Sequence, residues 1–109
     1  MESFERRKDG FERKFAHDEE LRFKAMARRN RMLGHWAAEK LGLSGPDADA
    51  YAREVVKADF EAPGDEDVFR KIRTDLDAKN IALSDHQIRR TMEELLVKAA
   101  EQIQAEKKT

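Results

Sequence analysis

Cysteine is absent from this 109-residue chain, proline occurs twice and glycine five times. Without cysteine there is no disulfide and no thiol chemistry, a composition that fits the cytosol. Aromatic residues make up 7%, with one tryptophan and one tyrosine, too few rings to form a stacking platform for nucleic acid. No segment approaches the roughly 18–20 apolar residues needed to span a bilayer. The start, Met1-Glu2-Ser3-Phe4-Glu5-Arg6, has no apolar run of the kind a secretory signal needs. An excess of either charge is missing too: 22 Lys and Arg face 23 Asp and Glu, for a formal net charge of −1. Nothing therefore pulls the whole molecule toward nucleic acid or an anionic membrane, and an electrostatic partner has to be matched by a local patch. The expectation is one soluble cytoplasmic domain, monomeric when free and just large enough to bury a working core.

What is abundant is charge, at 41%, laid over helical periodicity. No stretch alternates as a strand would, and the prolines and most glycines fall at boundaries, so the fold class reads as all-α. A first helix over about 18–41 has acid at its positive end (Asp18, Glu19, Glu20) and Gly42 where a left-handed cap is wanted. Met26, Leu33, Trp36, Ala37 and Leu41 form its apolar stripe. Gly34, with Ala27 and Ala38, offers a flat face for close helix approach. Ser44-Gly45-Pro46 opens a second helix, 46–61, that buries Tyr51, Val55 and Ala58, with Phe60 near its end. Asp65 is a good N-cap for a third, 66–79, carrying Phe69, Ile72 and Leu76 and closed by Asn80. Ser84-Asp85-His86-Gln87 is a capping box starting the fourth, 85–106. There Ile88, Met92, Leu95, Leu96, Ala99 and Ile103 keep register. Four helices with short loops make an antiparallel bundle the economical arrangement.

Catalytic patterns are missing from this scheme. His17 stands beside Asp18, Glu19 and Glu20, but adjacent helical residues do not converge and no second histidine sits one turn away, which argues against a metal site. His35 and His86 have no nucleophile or paired carboxylate in sequence reach. No glycine-rich phosphate loop follows a strand, and Ser44 and Ser84 are explained as caps. The expectation is a non-enzyme with no required cofactor. One charge run stands out: Arg22, Lys24, Arg28, Arg29 and Arg31 crowd the first half of the long helix. Two readings stay open. The run is either a solvated face paired with nearby acids, or a phosphate-binding face making bidentate guanidinium contacts. With Trp36 or Tyr51 for stacking, the second reading admits weak ADP or ATP binding and an energy-sensing module. A nucleic-acid adaptor is a weaker third reading.

The first sixteen residues stand outside the bundle. Phe4-Glu5-Arg6-Arg7 recurs seven positions later as Phe11-Glu12-Arg13-Lys14, and Phe15 follows. As a helix, this segment sets Phe4, Phe11 and Phe15 within roughly 40° of one another. The stripe is too thin to make a core alone. It is either a helix whose apolar face is buried in a partner or a frayed extension packed loosely on its own domain. Gly10 disfavours spontaneous helix, so the free arm is expected to be disordered and to fold on binding.

Phe11 to Ala25, the run Phe-Glu-Arg-Lys-Phe-Ala-His-Asp-Glu-Glu-Leu-Arg-Phe-Lys-Ala, strongly resembles the zeta-subunit family, the inhibitor of the alpha-proteobacterial F-type ATP synthase. The likeness continues through Ala27-Arg28-Arg29-Asn30-Arg31, Leu33 to Glu39, Tyr51 to Val56, Asp59-Phe60-Glu61, Gly64 to Lys71, and His86 to Arg90. The resemblance implies a four-helix bundle (18–109) with a flexible N-terminal arm (1–17). It further implies that the arm enters a catalytic interface between alpha and beta subunits of the synthase head, beside the gamma stalk. There it blocks rotation in the hydrolytic direction. On that reading Phe4, Phe11 and Phe15 are apolar anchors, and Arg6, Arg7, Lys8, Arg13 and Lys14 pair with acidic positions on the head. The protein would then be cytoplasmic and peripheral to the membrane-bound synthase.

Overall fold

The computed structural model of the protein describes residues 18–59 and 65–107. These form four helices and no strand: α1 (Glu19–Lys40), α2 (Gly45–Ala58), α3 (Glu66–Ala78) and α4 (Asp85–Lys107). The expected arm, Phe60 and the Pro63-Gly64 turn lie outside the described residues.

Local chemistry sets each boundary. The Asp18 carboxylate accepts from the Leu21 N–H at 3.0 Å and starts α1. Gly42 ends it with a φ of 80°, while the Gly42 and Leu43 amides donate to the Glu39 and Ala38 carbonyls. That is a Schellman closure, and the following apolar residue, Leu43, folds back onto the core. α3 closes the same way: Asn80 takes a φ of 57°, and the Asn80 and Ile81 amides bond Asp77 and Leu76. At the head of α4 the Ser84 hydroxyl accepts from the Gln87 amide at 3.1 Å and the Gln87 side chain accepts from the Ser84 amide at 2.9 Å, completing the capping box. α2 stops at Ala58, ahead of the expected 61, where the Asp59 amide turns to the Val56 carbonyl in a tighter bond.

α1 is the central helix. It packs along both α2 and α4 and touches α3 across the middle, while α2 and α4 stay apart on either side of it. Leu33, Ala37, Val55, Val68, Ile72, Leu76, Ile88 and Met92 close the main core. The α1–α2 seam is very tight, because a Cβ added at Gly34 would lie 2.6 Å from the Ala52 Cα. The flat face expected at Gly34 is therefore a backbone-to-backbone contact.

Three of the expected stripes need correction. On α1 the buried row is Ala25, Arg29, Leu33 and Ala37, joined by Asn30, Gly34 and Ala38, while Met26, Trp36 and Leu41 are only half-covered. On α3 the buried residue is Val68 rather than Phe69. Phe69 is half-exposed beneath the Arg89 guanidinium, whose central carbon lies 4.0 Å from the ring centre. On α4, Leu95 and Leu96 are half-buried, and Val97 and Ala100 go inside.

α1 and α4 have 22 and 23 residues, against 14 and 13 for α2 and α3. At 1.5 Å per residue, the long pair outruns the short pair by about 12–15 Å. Over that distance the N-terminal half of α1 and the C-terminal half of α4 lie side by side. They share a small second cluster of Ala25, Ala100 and Ile103, flanked by Leu21 and Leu96.

Candidate partner-binding surfaces

The basic run of α1 does not form one face. Arg29 points into the protein, with 1% of its surface exposed. Its guanidinium donates to Asp65 Oδ1 at 2.7 Å through one terminal nitrogen and to Oδ2 at 3.5 Å through the other. Its Nε donates to Asn30 Oδ1 at 2.7 Å. Asp65 stands at the head of α3 without capping it through its side chain, because that carboxylate is engaged by Arg29. The clamp thus ties the start of α3 to the middle of α1. Asn30 is equally buried, and its side-chain amide faces the Asp59 carboxyl. Nearby, burial pushes the Asp59 carboxyl up, against the lowering pull of Asn30 and Arg29, with Asp65 and Asp67 adding to the rise. The position of Arg29, four residues from both Ala25 and Leu33, is the sequence signal that places it in the buried row.

The other members of the run stay outside. Lys24 pairs with Glu20 at 3.3 Å. Arg28 reaches across to α4 and grips the Glu106 carboxylate with both terminal nitrogens, the longer contact being 3.0 Å. That bond raises the Arg28 pKa and holds Glu106 below the usual carboxylate range. Arg22 and Arg31 are exposed. The structure therefore separates Arg29 from Arg22, Lys24, Arg28 and Arg31. Trp36 has the Lys40 ammonium 5.8 Å above its ring. The Tyr51 hydroxyl donates to Asp75 Oδ2 at 2.7 Å. Its titration is pushed well up, first by burial and then by Asp75 and Glu54. Tyr51 is buried against α3, with the Lys71 ammonium 5.0 Å from its ring centre. It is therefore not placed to stack on a ligand at the α1 surface.

Two grooves open beside α1. One, of about 520 Å³, is lined by Phe23, Lys24, Ala27, Arg28 and Arg31 of α1, Val56 of α2, and Ile103 and Glu106 of α4. The second, of about 430 Å³, follows the α1–α2 seam between Arg31, His35, Asp49, Ala52, Arg53 and Val56. The grooves meet at Arg31 and Val56. In the second, His35 Nε2 lies 3.7 Å from Asp49 Oδ1. Phe23, on the rim of the first, is 60% exposed, the one large apolar side chain so open among the described residues. Among those residues no cluster of metal-ligating side chains occurs, and no helix is long and apolar enough to cross a membrane.

The described residues thus define a small all-α bundle with its own core and two cationic grooves. The family model of ATPase inhibitor subunit zeta matches residues 1–102. The chain belongs to that family, which gives it an inhibitory role toward the ATP synthase. A solved structure described as "Solution NMR structure of the protein" is 50% identical, with a TM-score of 0.70 over 79% of this chain and 98% of that one. No curated protein matches the sequence.

Proposed function

We propose that this protein is a non-catalytic brake on ATP hydrolysis by the F-type ATP synthase, and that residues 1–17 are the part that does the blocking. On this reading the segment enters a catalytic alpha/beta interface of the head, next to the gamma stalk, and becomes helical there. Phe4, Phe11 and Phe15 fill apolar pockets, and Arg6, Arg7, Lys8, Arg13 and Lys14 face acidic positions. The bundle is monomeric when free, works in the cytoplasm at the periphery of the membrane, and sets the direction from which the segment enters.

The observation that carries this reading is that the match to the ATPase inhibitor subunit zeta family begins at residue 1 and takes in the whole of this segment. Phe4, Phe11 and Phe15, the apolar stripe of that segment, are on this reading the side chains offered to the synthase. A helix formed only on a partner gives a reversible inhibitor, since ordering entropy is lost on each binding event. Deleting residues 1–15 tests the assignment. The truncated protein should keep its helical circular dichroism and lose inhibition of the purified head; undiminished inhibition would overturn it.

A second reading, adenine-nucleotide binding, is favoured by the cationic groove at Lys24, Arg28 and Arg31. Arg22 lies outside the lining of this groove and Arg29 is buried, so at most three of the five basic residues could meet one phosphate group. Titrating ADP or ATP while following Trp36 fluorescence decides it, and no response at millimolar nucleotide removes it.

A further inference from the structure

We propose that the seam between α1 and α2 carries a binding site for inorganic phosphate, held by the guanidiniums of Arg31 and Arg53 and selected by the Asp49 carboxylate. The binding is independent of the function proposed above; only its regulatory consequence rests on that reading.

The site grows out of a backbone contact. At Gly34 and Ala52 the two helices come so close that a Cβ on Gly34 would stand 2.6 Å from the Ala52 Cα. Side chains flanking such a contact are brought together from both helices. On α1 these are Arg31 and His35, four residues apart on one face, and on α2 they are Asp49 and Arg53, again four apart. All four line a single groove of about 430 Å³, with Ala52 and Val56 as its apolar members.

The arginines of this groove differ from most others in the bundle. Arg28, Arg29, Arg70, Arg73, Arg89 and Arg90 each meet a carboxylate. Arg31 and Arg53 make no ion pair among the described residues, and both are exposed. Arg53 even has an acid in the favourable position, Asp49 four residues earlier on its own helix. The structure leaves that pair unmade, and Asp49 Oδ1 lies 3.7 Å from His35 Nε2 instead. This separation is too long for a hydrogen bond, so the carboxylate keeps its lone pairs for a third group. Two guanidinium forks reaching one groove from different helices suit a compact oxyanion.

Asp49 decides which oxyanion. An ionised carboxylate can only accept hydrogen bonds. Beside two arginines it repels an oxyanion that carries no proton and accepts from one that does. At neutral pH phosphate retains a P–O–H and sulfate has none. Monohydrogen phosphate therefore donates its hydroxyl to Asp49 while its other oxygens accept from Arg31 and Arg53. Ala52 and Val56 make the floor apolar, which strengthens charge-assisted bonds laid over it. Phosphate is released by ATP hydrolysis, so on the function proposed above the bundle senses a product of the reaction it restrains.

The test is an NMR titration of the isolated full chain with inorganic phosphate, at neutral pH and constant ionic strength. Saturable shifts are expected at the His35 imidazole, the Arg31 and Arg53 Nε–H groups and the amides of residues 49–53, with none from chloride. Sulfate should bind about tenfold more weakly, the worth of one hydrogen bond to a charged group. Arg53→Gln should weaken phosphate by about the same factor. Asp49→Asn should close the gap between phosphate and sulfate, because an amide can donate as well as accept. These are surface changes, and circular dichroism checks that each variant keeps its helices. Shifts that do not saturate overturn the proposal, as do equal affinities for phosphate and sulfate in the parent chain or an unaltered preference in Asp49→Asn. ADP moving the same resonances at lower concentration than phosphate also overturns it, by making a nucleotide the occupant. A failed titration, with truncation of residues 1–15 still abolishing inhibition, removes the phosphate site and leaves the brake intact.

Discussion

At its closed end the bundle surrounds Leu33, Val55, Ile72, Leu76 and Ile88 with four helices, all five residues fully buried. Toward Asp18 the described structure thins to α1 and α4, with Ala25, Ala100 and Ile103 between them. The closed end adds a buried guanidinium clamp, Arg29 to Asp65, and a backbone-tight seam at Gly34. The thin end has small side chains and a solvent-facing clasp, Arg28 to Glu106. Apolar burial scales with how many helices enclose a residue, so one end holds the fold and the other is left able to change partners. The segment proposed above to do the blocking precedes Asp18, at the second.

The contrast can be broken from the closed end first. Asp65→Ala leaves the Arg29 guanidinium buried without its counter-charge. It should cost about 3–5 kcal/mol of stability, measured by urea unfolding; a loss near zero would show that the clamp does not secure α3. Next in size is Gly34→Ala, which improves helix propensity yet drives a methyl into the Ala52 Cα. The expected net loss is about 1–3 kcal/mol. Because the nearest obstacle is backbone, adding Ala52→Gly should not restore it, and full rescue would mean the seam is looser than the coordinates show.

At the thin end Ile103→Ala should fall near the low end of its class, about 2 kcal/mol, since few neighbours line the cavity and they can collapse into it. Its signature is local: amides of 21–28 and 99–106 should exchange faster while those of α2 and α3 hold their protection. Uniform acceleration would erase the distinction between the two ends.

The smallest effect is in pH. Arg28 keeps the Glu106 carboxyl below its ordinary value. Its contribution is thus present above about pH 4.5 and is lost as pH falls toward the folded-state value. Asp59 has the opposite sign. Burial raises it, so the folded state binds the proton more readily and stability declines as pH rises through that raised value. Acid should therefore loosen the thin end while relieving the α2 terminus. Arg28→Ala should remove only the first effect and Asp59→Asn only the second, as followed by amide exchange between about pH 3 and 6.

Much of the fold was legible because its signals are local. Gly42 and Asn80 are residues that tolerate positive φ, and Ser84 with Gln87 reads as a cap before any tertiary contact is considered. The stripe of α1 misled because hydropathy assigns arginine and asparagine to the surface. Arg29 and Asn30 go inside through a partner 36 positions away, Asp65, which periodicity alone does not reveal. Phe69 misled in reverse: a long cationic side chain from α4 covers it, and that cover exists only after folding. The cationic run could be seen in the sequence, but its division into one buried clamp, one clasp and two open arginines could not. The division depends on which neighbouring helix stops short.

The clasp has one more consequence. Arg28 and Glu106 are 78 positions apart, whereas α1 and α2 meet across a four-residue connection, 41–44. Loop closure and contact order favour pairing α1 with α2 early and α1 with the end of α4 late. The α1–α4 end of the bundle is therefore finished last, after the ribosome has delivered nearly the whole chain. A nascent chain, or one clipped before Glu106, therefore lacks the Arg28 clasp and the end of the bundle that it closes.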